Sequence, residues 1–125
     1  MSLPEVLIVD DDQLIRAMVR DALADVPCTV REAASGDAAL TLIAEHRPAV
    51  VLLDLVMPGR SGLDVLRALE GRGPRVLVLS ALDTEALVQQ ALSFGAHGFL
   101  GKPIHPLDVQ NLVRAELEAH GVSSS

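Results

Sequence analysis

The residues best equipped for chemistry stand just beyond apolar runs. Asp10, Asp11 and Asp12 follow one such run, Asp54 closes a second, Ser80 a third, and Lys102 with Pro103 a fourth. An aspartate before a first helical turn satisfies orphan amides and suits the positive helix end, which accounts for one of the triplet, Asp12. Three carboxylates crowded beside a fourth, Asp54, repel one another unless a cation neutralises them. A hard divalent ion with few protein ligands and a water-completed octahedral shell describes Mg²⁺ better than Ca²⁺, for which the chain has no EF-hand loop. Carboxylate, metal-binding pair, hydroxyl donor and ammonium are together the parts that hold a phosphoryl group, whose transfer depends on positioning and charge neutralisation. Each alone has a plainer role: Asp54 could start a turn, Ser80 could cap a helix and Lys102 could be solvated.

The elements that must position these groups follow from hydrophobic patterning. Glu5 to Asp10, Cys28 to Ala33, Ala49 to Asp54, Arg75 to Ser80 and Gly98 to Lys102 are strand-length. The first, third and fourth are nearly continuous Val, Leu and Ile, as in strands covered on both faces. The second alternates like an edge strand, and the short, glycine-bearing fifth suits the other edge. Between them Leu14, Ile15, Met18, Val19, Ala22 and Leu23, and later Leu87, Val88, Ala91 and Leu92, recur at the spacing of a buried helical stripe. Ser35, Ser61 and Asp83 suit N-caps, Gly71 and Gly95 suit helix stops, and Pro106 suits the first turn of a last helix. Strand then helix, five times over, implies an α/β, doubly wound parallel sheet with right-handed crossovers. Ligands of such sheets sit beyond the carboxyl ends of the strands, where these polar residues collect.

Composition sets bounds. The chain has 125 residues, enough for one domain, and half are hydrophobic with a mean hydropathy of +0.37. No apolar run reaches membrane-spanning length and no secretory signal precedes the first strand, so a soluble cytoplasmic protein is expected. The net charge of −7 and two aromatics, Phe94 and Phe99, argue against direct binding of nucleic acid. Cys28, the single cysteine, has no thiol partner for a disulfide or metal site and suits a core position. Residues 1–120 make the expected domain, with 121–125 a tail or the start of a linker.

The motifs "VLIVDDD", "LLDLVMPGRSGLDVL", "VLVLSA" and "GFLGKP", in this order and spacing, resemble the receiver domain of two-component response regulators over about Glu5 to Glu118. The resemblance implies a flavodoxin-like sheet of strand order 2-1-3-4-5. It implies that Asp54 accepts a phosphoryl group from a phosphohistidine of a sensor histidine kinase or histidine phosphotransfer protein. Asp11, Asp54 and the backbone carbonyl of Val56 would ligate Mg²⁺, with Asp10 acting through water or by orienting the shell. Lys102 and Ser80 would contact phosphoryl oxygens, and Pro103 would follow a cis peptide. Phosphorylation would draw Ser80 inward and turn Phe99 into the space behind it, reshaping roughly Asp83 to Glu118 for a downstream effector or a phosphorylation-dependent homodimer. Such a chain is a signalling phosphoacceptor rather than a turnover enzyme. Val56 and Leu82, two residues beyond Asp54 and Ser80, are apolar, so slow hydrolysis of the acyl phosphate is expected. Two rival readings are a receiver-shaped binding module that works without phosphorylation, and a haloacid-dehalogenase-type phosphatase with Asp10 as nucleophile.

Overall fold

Val, Leu and Ile alternate between the two faces of each central strand, so a run apolar at every position needs a covering layer on both sides. The computed structural model, which describes residues 3–81 and 85–124, supplies them. The strands are β1 (Glu5–Val9), β2 (Thr29–Ala33), β3 (Val50–Asp54), β4 (Arg75–Ser80) and β5 (Gly98–Gly101). They form one parallel sheet in the order β2-β1-β3-β4-β5. The helices are α1 (Gln13–Ala22), α2 (Gly36–His46), α3 (Gly62–Leu69), α4 (Glu85–Ser93) and α5 (Pro106–Ser124). One face of the sheet (Val6, Ile8, Val50, Leu52, Leu77, Leu79) packs against Val19 and Leu23 near α1 and Val109 and Val113 of α5. The other (Leu7, Val9, Val51, Leu53, Val76, Val78) packs against Ala39 and Ile43 of α2, Val65 and Leu66 of α3, and Val88 and Ala91 of α4. Each such Leu or Ile contributes about 1.5–3 kcal/mol by leaving water, so the sheet is a stiff mount for what stands at its rim.

Caps and stops follow local chemistry, with some corrections. Ser35 accepts from the Ala38 amide, and Ser61 forms a reciprocal capping box with Asp64. The expected cap Asp83 and the apolar Leu82 lie outside the described residues. The stop of α3 is Glu70, in the left-handed region at φ 54°, with Gly71 one position later. The stripe expected to be buried on α1 is only partly so: Val19, Ala22 and Leu23 are buried, but Leu14 is 77% and Met18 40% exposed. The buried face is the Ile15, Val19, Ala22 and Leu23 part of that stripe, which shares its core with Val109 and Val113 of α5. Leu92 is likewise exposed, and Cys28 is half-buried against the α1/α5 core. The backbone of residues 121–124 continues α5. Among the described residues no helix is long and apolar enough to cross a membrane.

At the far end of the sheet a side chain completes the ladder. Pairing of β4 with β5 begins at Leu77 and Gly98. One position earlier the His97 amide donates to the Val76 carbonyl (2.7 Å), and the Val76 amide donates to His97 Nδ1 (3.0 Å). Nδ1 must be unprotonated to accept. Burial first, and then the Arg75 guanidinium, hold the imidazole below its ordinary value of 6.5, against a smaller opposing effect of Glu116. A folded-state value below the unfolded one means stability is full above about pH 6.5 and is lost as pH falls. In urea titrations the wild type should therefore lose about 1 kcal/mol more than His97→Gln between pH 7 and pH 5, the worth of one such hydrogen bond. Parallel pH profiles for the two proteins would refute this.

Candidate functional site

Three aspartates in a row meet three different environments. The Asp10 amide donates to the Ala33 carbonyl (3.2 Å), so the residue extends β1 and its side chain is fully buried. Asp12 has left the strand: its Oδ1 accepts the Leu14 amide (2.9 Å) as the α1 N-cap, and its own amide donates to Asp10 Oδ1 (2.9 Å). Asp11, between them, is exposed at the rim. Asp54, the last residue of β3, is 5% exposed and accepts the Val56 amide on Oδ1 (3.2 Å).

The turn after β1 and the end of β3 are neighbours because β1 pairs with β3. Carboxylate oxygens of Asp10, Asp11 and Asp54 accordingly lie within 4.8 Å of one another. Lys102, just past β5, completes the group from the other side. Its amide donates to the Ser80 carbonyl (2.7 Å), and its Nζ stands 3.1 Å from Asp10 Oδ2 and 3.4 Å from Asp54 Oδ2. The Lys102–Pro103 peptide is cis. Ser80 is buried at the end of β4, one residue beyond Leu79, the register partner of Asp54. Phe99 on β5 is 53% exposed beside a cavity of about 280 Å³, lined by Ser80, Ala81, Glu85, Val88, Gln89 and Gly101 as well.

Negative charge predominates at this site. Burial, joined by the charge of Asp10, pushes the Asp54 carboxyl up to about 6, against the opposing pull of the Val56 amide and Lys102. Burial alone would lower the Lys102 ammonium; pairing with Asp10, together with Asp54, outweighs it and holds the group above the ordinary lysine range. Three carboxylates face this one ammonium. Asp10 Oδ2 is sealed from solvent and meets Lys102 as an ion pair rather than an aligned hydrogen bond. Excess negative charge, hard oxygen donors and an open side at Asp11 fit a small divalent cation. Asp10 is fully buried, with its Oδ1 accepting the Asp12 amide and its Oδ2 facing Lys102.

Two groups of residues at this site escaped the sequence reading. Gly62 opens α3, and a Cβ there would fall 2.4 Å from the Asp54 carbonyl oxygen. Its signal was present in "PGRSG", where it stands directly after the N-cap and has no turn to make. Arg16 donates to the Asp10 carbonyl and is paired with Glu32. Nothing local marks a partnership across sixteen residues.

The family model for the response regulator receiver domain matches residues 6–114. The transcriptional activator protein ExaE of Pseudomonas putida is 41% identical over 121 residues, covering 92% of this chain and 56% of that protein. The DNA-binding response regulator MtrA of Mycobacterium leprae is 35% identical over 113 residues, 90% of this chain and 50% of that one. The chain thus spans about half the length of these curated relatives. Among solved structures, the chemotaxis protein CheY4 of Vibrio cholerae superimposes with a TM-score of 0.83 at 29% identity, covering 91% of this chain and 98% of that chain. The receiver domain of NtrX from Brucella abortus gives 0.84 at 29% identity, with 90% and 98% covered.

Proposed function

Because the chain belongs to the response regulator receiver domain family, we propose that Asp54 accepts a phosphoryl group from a phosphohistidine of a kinase or phosphotransfer protein. The observation that carries this reading is the meeting of the Asp10, Asp11 and Asp54 carboxylates within 4.8 Å, with Lys102 Nζ 3.4 Å from Asp54. In the transfer an Asp54 oxygen bonds to phosphorus as the P–N bond breaks, and the bonding pair leaves with the imidazole, giving an acyl phosphate. Asp11, Asp54 and the Val56 carbonyl would hold Mg²⁺, with Asp10 orienting its water shell. When bound, the ion supplies charge neutralisation for the carboxylates and the incoming phosphoryl oxygens. Lys102 is close enough to both acids to exchange part of that pairing for a phosphoryl oxygen, and the Ser80 hydroxyl donates to another. The sheet holds the nucleophile still; the protein acts as a phosphoacceptor rather than a turnover enzyme.

Movement of Ser80 toward the phosphoryl group opens space for Phe99 to turn into the cavity beside it, exchanging an exposed ring for a buried one. The face built by α4, β5 and α5 then meets an effector or a second copy. The relatives named as an activator and as DNA-binding are about twice as long as this chain, and an acidic chain with net charge −7 offers phosphates little attraction. The partners we assign are therefore a kinase and an output segment or protein, in the cytoplasm.

Intact mass after incubation with acetyl phosphate tests the reading. One phosphoryl group should be gained with Mg²⁺ and none with excess chelator, and neutral hydroxylamine should release it, as it does acyl phosphates but not serine esters. Its decay should be slow, because the exposed Val56 has no polar group with which to orient water. An adduct that forms without divalent metal or resists hydroxylamine would refute the acceptor assignment, and rapid decay would refute the role given to Val56.

A further inference from the structure

Arg16 stands on α1 beside the end of β2. Its Nη1 donates to the backbone carbonyl of Asp10 at 2.7 Å, and its Nε donates to Glu32 Oε1 at 3.0 Å. The other Glu32 oxygen, Oε2, accepts from Arg20 Nε at 2.7 Å. We propose that Arg16, oriented by Glu32, is a positioning residue for the acidic loop: it sets the plane of the Asp10–Asp11 peptide and thereby the place from which the Asp11 carboxylate leaves the chain. The proposal rests on the reading that Asp10, Asp11 and Asp54 surround a divalent cation.

The Asp10 carbonyl, on the β2 side like the amide that bonds Ala33, lies past the last rung between β1 and β2, at Val9 and Ala33, so no strand pairing supports it. A backbone acceptor in that position needs another donor. Arg16 is that donor, and the carbonyl it holds belongs to the same peptide unit whose nitrogen is that of Asp11. Turning this plane would swing Asp11, the exposed member of the cluster, while Asp10 stayed anchored by its amide to Ala33. A flat guanidinium fork bonds two acceptors at once, which an ammonium on a flexible stem does less well. Glu32 is itself held ionised: its carboxyl lies below the usual range because of its bonds to Arg20 and then Arg16, which outweigh partial burial.

Charge and geometry make opposite demands here, and this makes the proposal testable. A guanidinium near a cation site repels the cation, so if its charge were what mattered, its removal would tighten binding. If its bond to Asp10 matters, removal loosens the loop and weakens binding, in the manner of outer residues that orient metal ligands and commonly contribute tenfold or more. Arg20 is the internal control, since it shares Glu32 but is bonded to the Val30 carbonyl (3.4 Å) rather than to the loop.

The experiment is Mg²⁺ titration of the ¹⁵N-labelled full chain, followed by the amide resonances of residues 10–12. Arg16→Ala should raise the dissociation constant about tenfold, Arg16→Lys should fail to restore it, and Arg20→Ala should stay within twofold of wild type. In the metal-free protein, hydrogen exchange at Asp11 and Asp12 should accelerate in Arg16→Ala and not in Arg20→Ala. Unchanged or tighter Mg²⁺ binding by Arg16→Ala overturns the proposal. So does an equal loss in Arg20→Ala, which would mark the pairs as general support for the fold. Should Arg16→Ala not fold, the Arg16→Lys and Arg20→Ala pair decides by the same criteria. No response to Mg²⁺ in the wild type would instead remove the cation reading, and this proposal with it.

Discussion

Asp54→Asn should take up no phosphoryl group from acetyl phosphate and Mg²⁺, a loss on the order of 10³-fold or more, as expected when a nucleophile is removed. Its fold should not suffer. The asparagine oxygen can still accept the Val56 amide, the bond that Asp54 Oδ1 accepts at 3.2 Å, while the charge that crowds Asp10 and Asp11 disappears. Because the carboxyl of Asp54 is raised to about 6 from an ordinary value of 3.8, its ionised form is disfavoured in the folded state. With a folded value above the unfolded one, the stabilisation is present below about pH 4 and is lost as pH rises through 6. In chelator at pH 7 the variant should therefore be more stable than wild type by on the order of 1–2 kcal/mol. The gap should close as pH falls toward 4. Intact mass and urea titrations in chelator check the two halves separately. A phosphorylated Asp54→Asn would point to another acceptor, and a destabilised one would mean that the carboxylate is better satisfied than its surroundings indicate.

Gly62→Ala should be costly out of proportion to one methyl group. The added carbon would lie 2.4 Å from the carbonyl oxygen of Asp54 and 2.8 Å from the Leu55 Cα, and both obstacles are backbone at the end of the central strand. Either α3 retreats, breaking the bond from the Gly62 amide to the Leu55 carbonyl (3.2 Å), or the end of β3 moves and takes Asp54 with it. Overpacking of this kind costs about 3 kcal/mol, a large part of a typical domain's stability, and should lower the melting temperature by about 10 °C. Displacing Asp54 by a fraction of an ångström should also slow phosphoryl uptake about tenfold or more. Gly71→Ala makes the comparison. Gly71 has φ +72° and open space around it, so its substitution costs about 1 kcal/mol of backbone conformation and should leave the rate of uptake unchanged. Thermal unfolding by circular dichroism and a phosphorylation time course separate the two glycines; equal effects would refute the close-contact explanation.

The two glycines show how position in the fold gives identical residues different meanings. Gly71 reads as a helix stop, and it stands at positive φ one residue past Glu70, where α3 ends. Gly62 instead is there because two backbones approach, and the approach is a distance between β3 and α3 that no local pattern records. The α1 stripe is a similar case. Its period is legible, but whether Leu14 and Met18 or Val19 and Leu23 lie under a neighbouring helix depends on where α5 docks.

By itself the sequence determined the alternation of strand and helix, because hydrophobic period and cap chemistry act within a few residues. It also determined which residues stand at strand ends. In a parallel sheet every strand ends at the same rim, which brings Asp10, Asp54, Ser80 and Lys102 to one edge. Only the tertiary structure decided what each of them experiences there. Asp10, Asp11 and Asp12 are chemically identical neighbours in the chain, yet one is buried against Lys102, one opens to solvent and one caps a helix. The division of labour arises because β1 ends and the chain turns between them. Burial, charge pairing and the bond from Arg16 are sums over groups brought from distant parts of the chain, and such sums exist only once the sheet has closed them into one site.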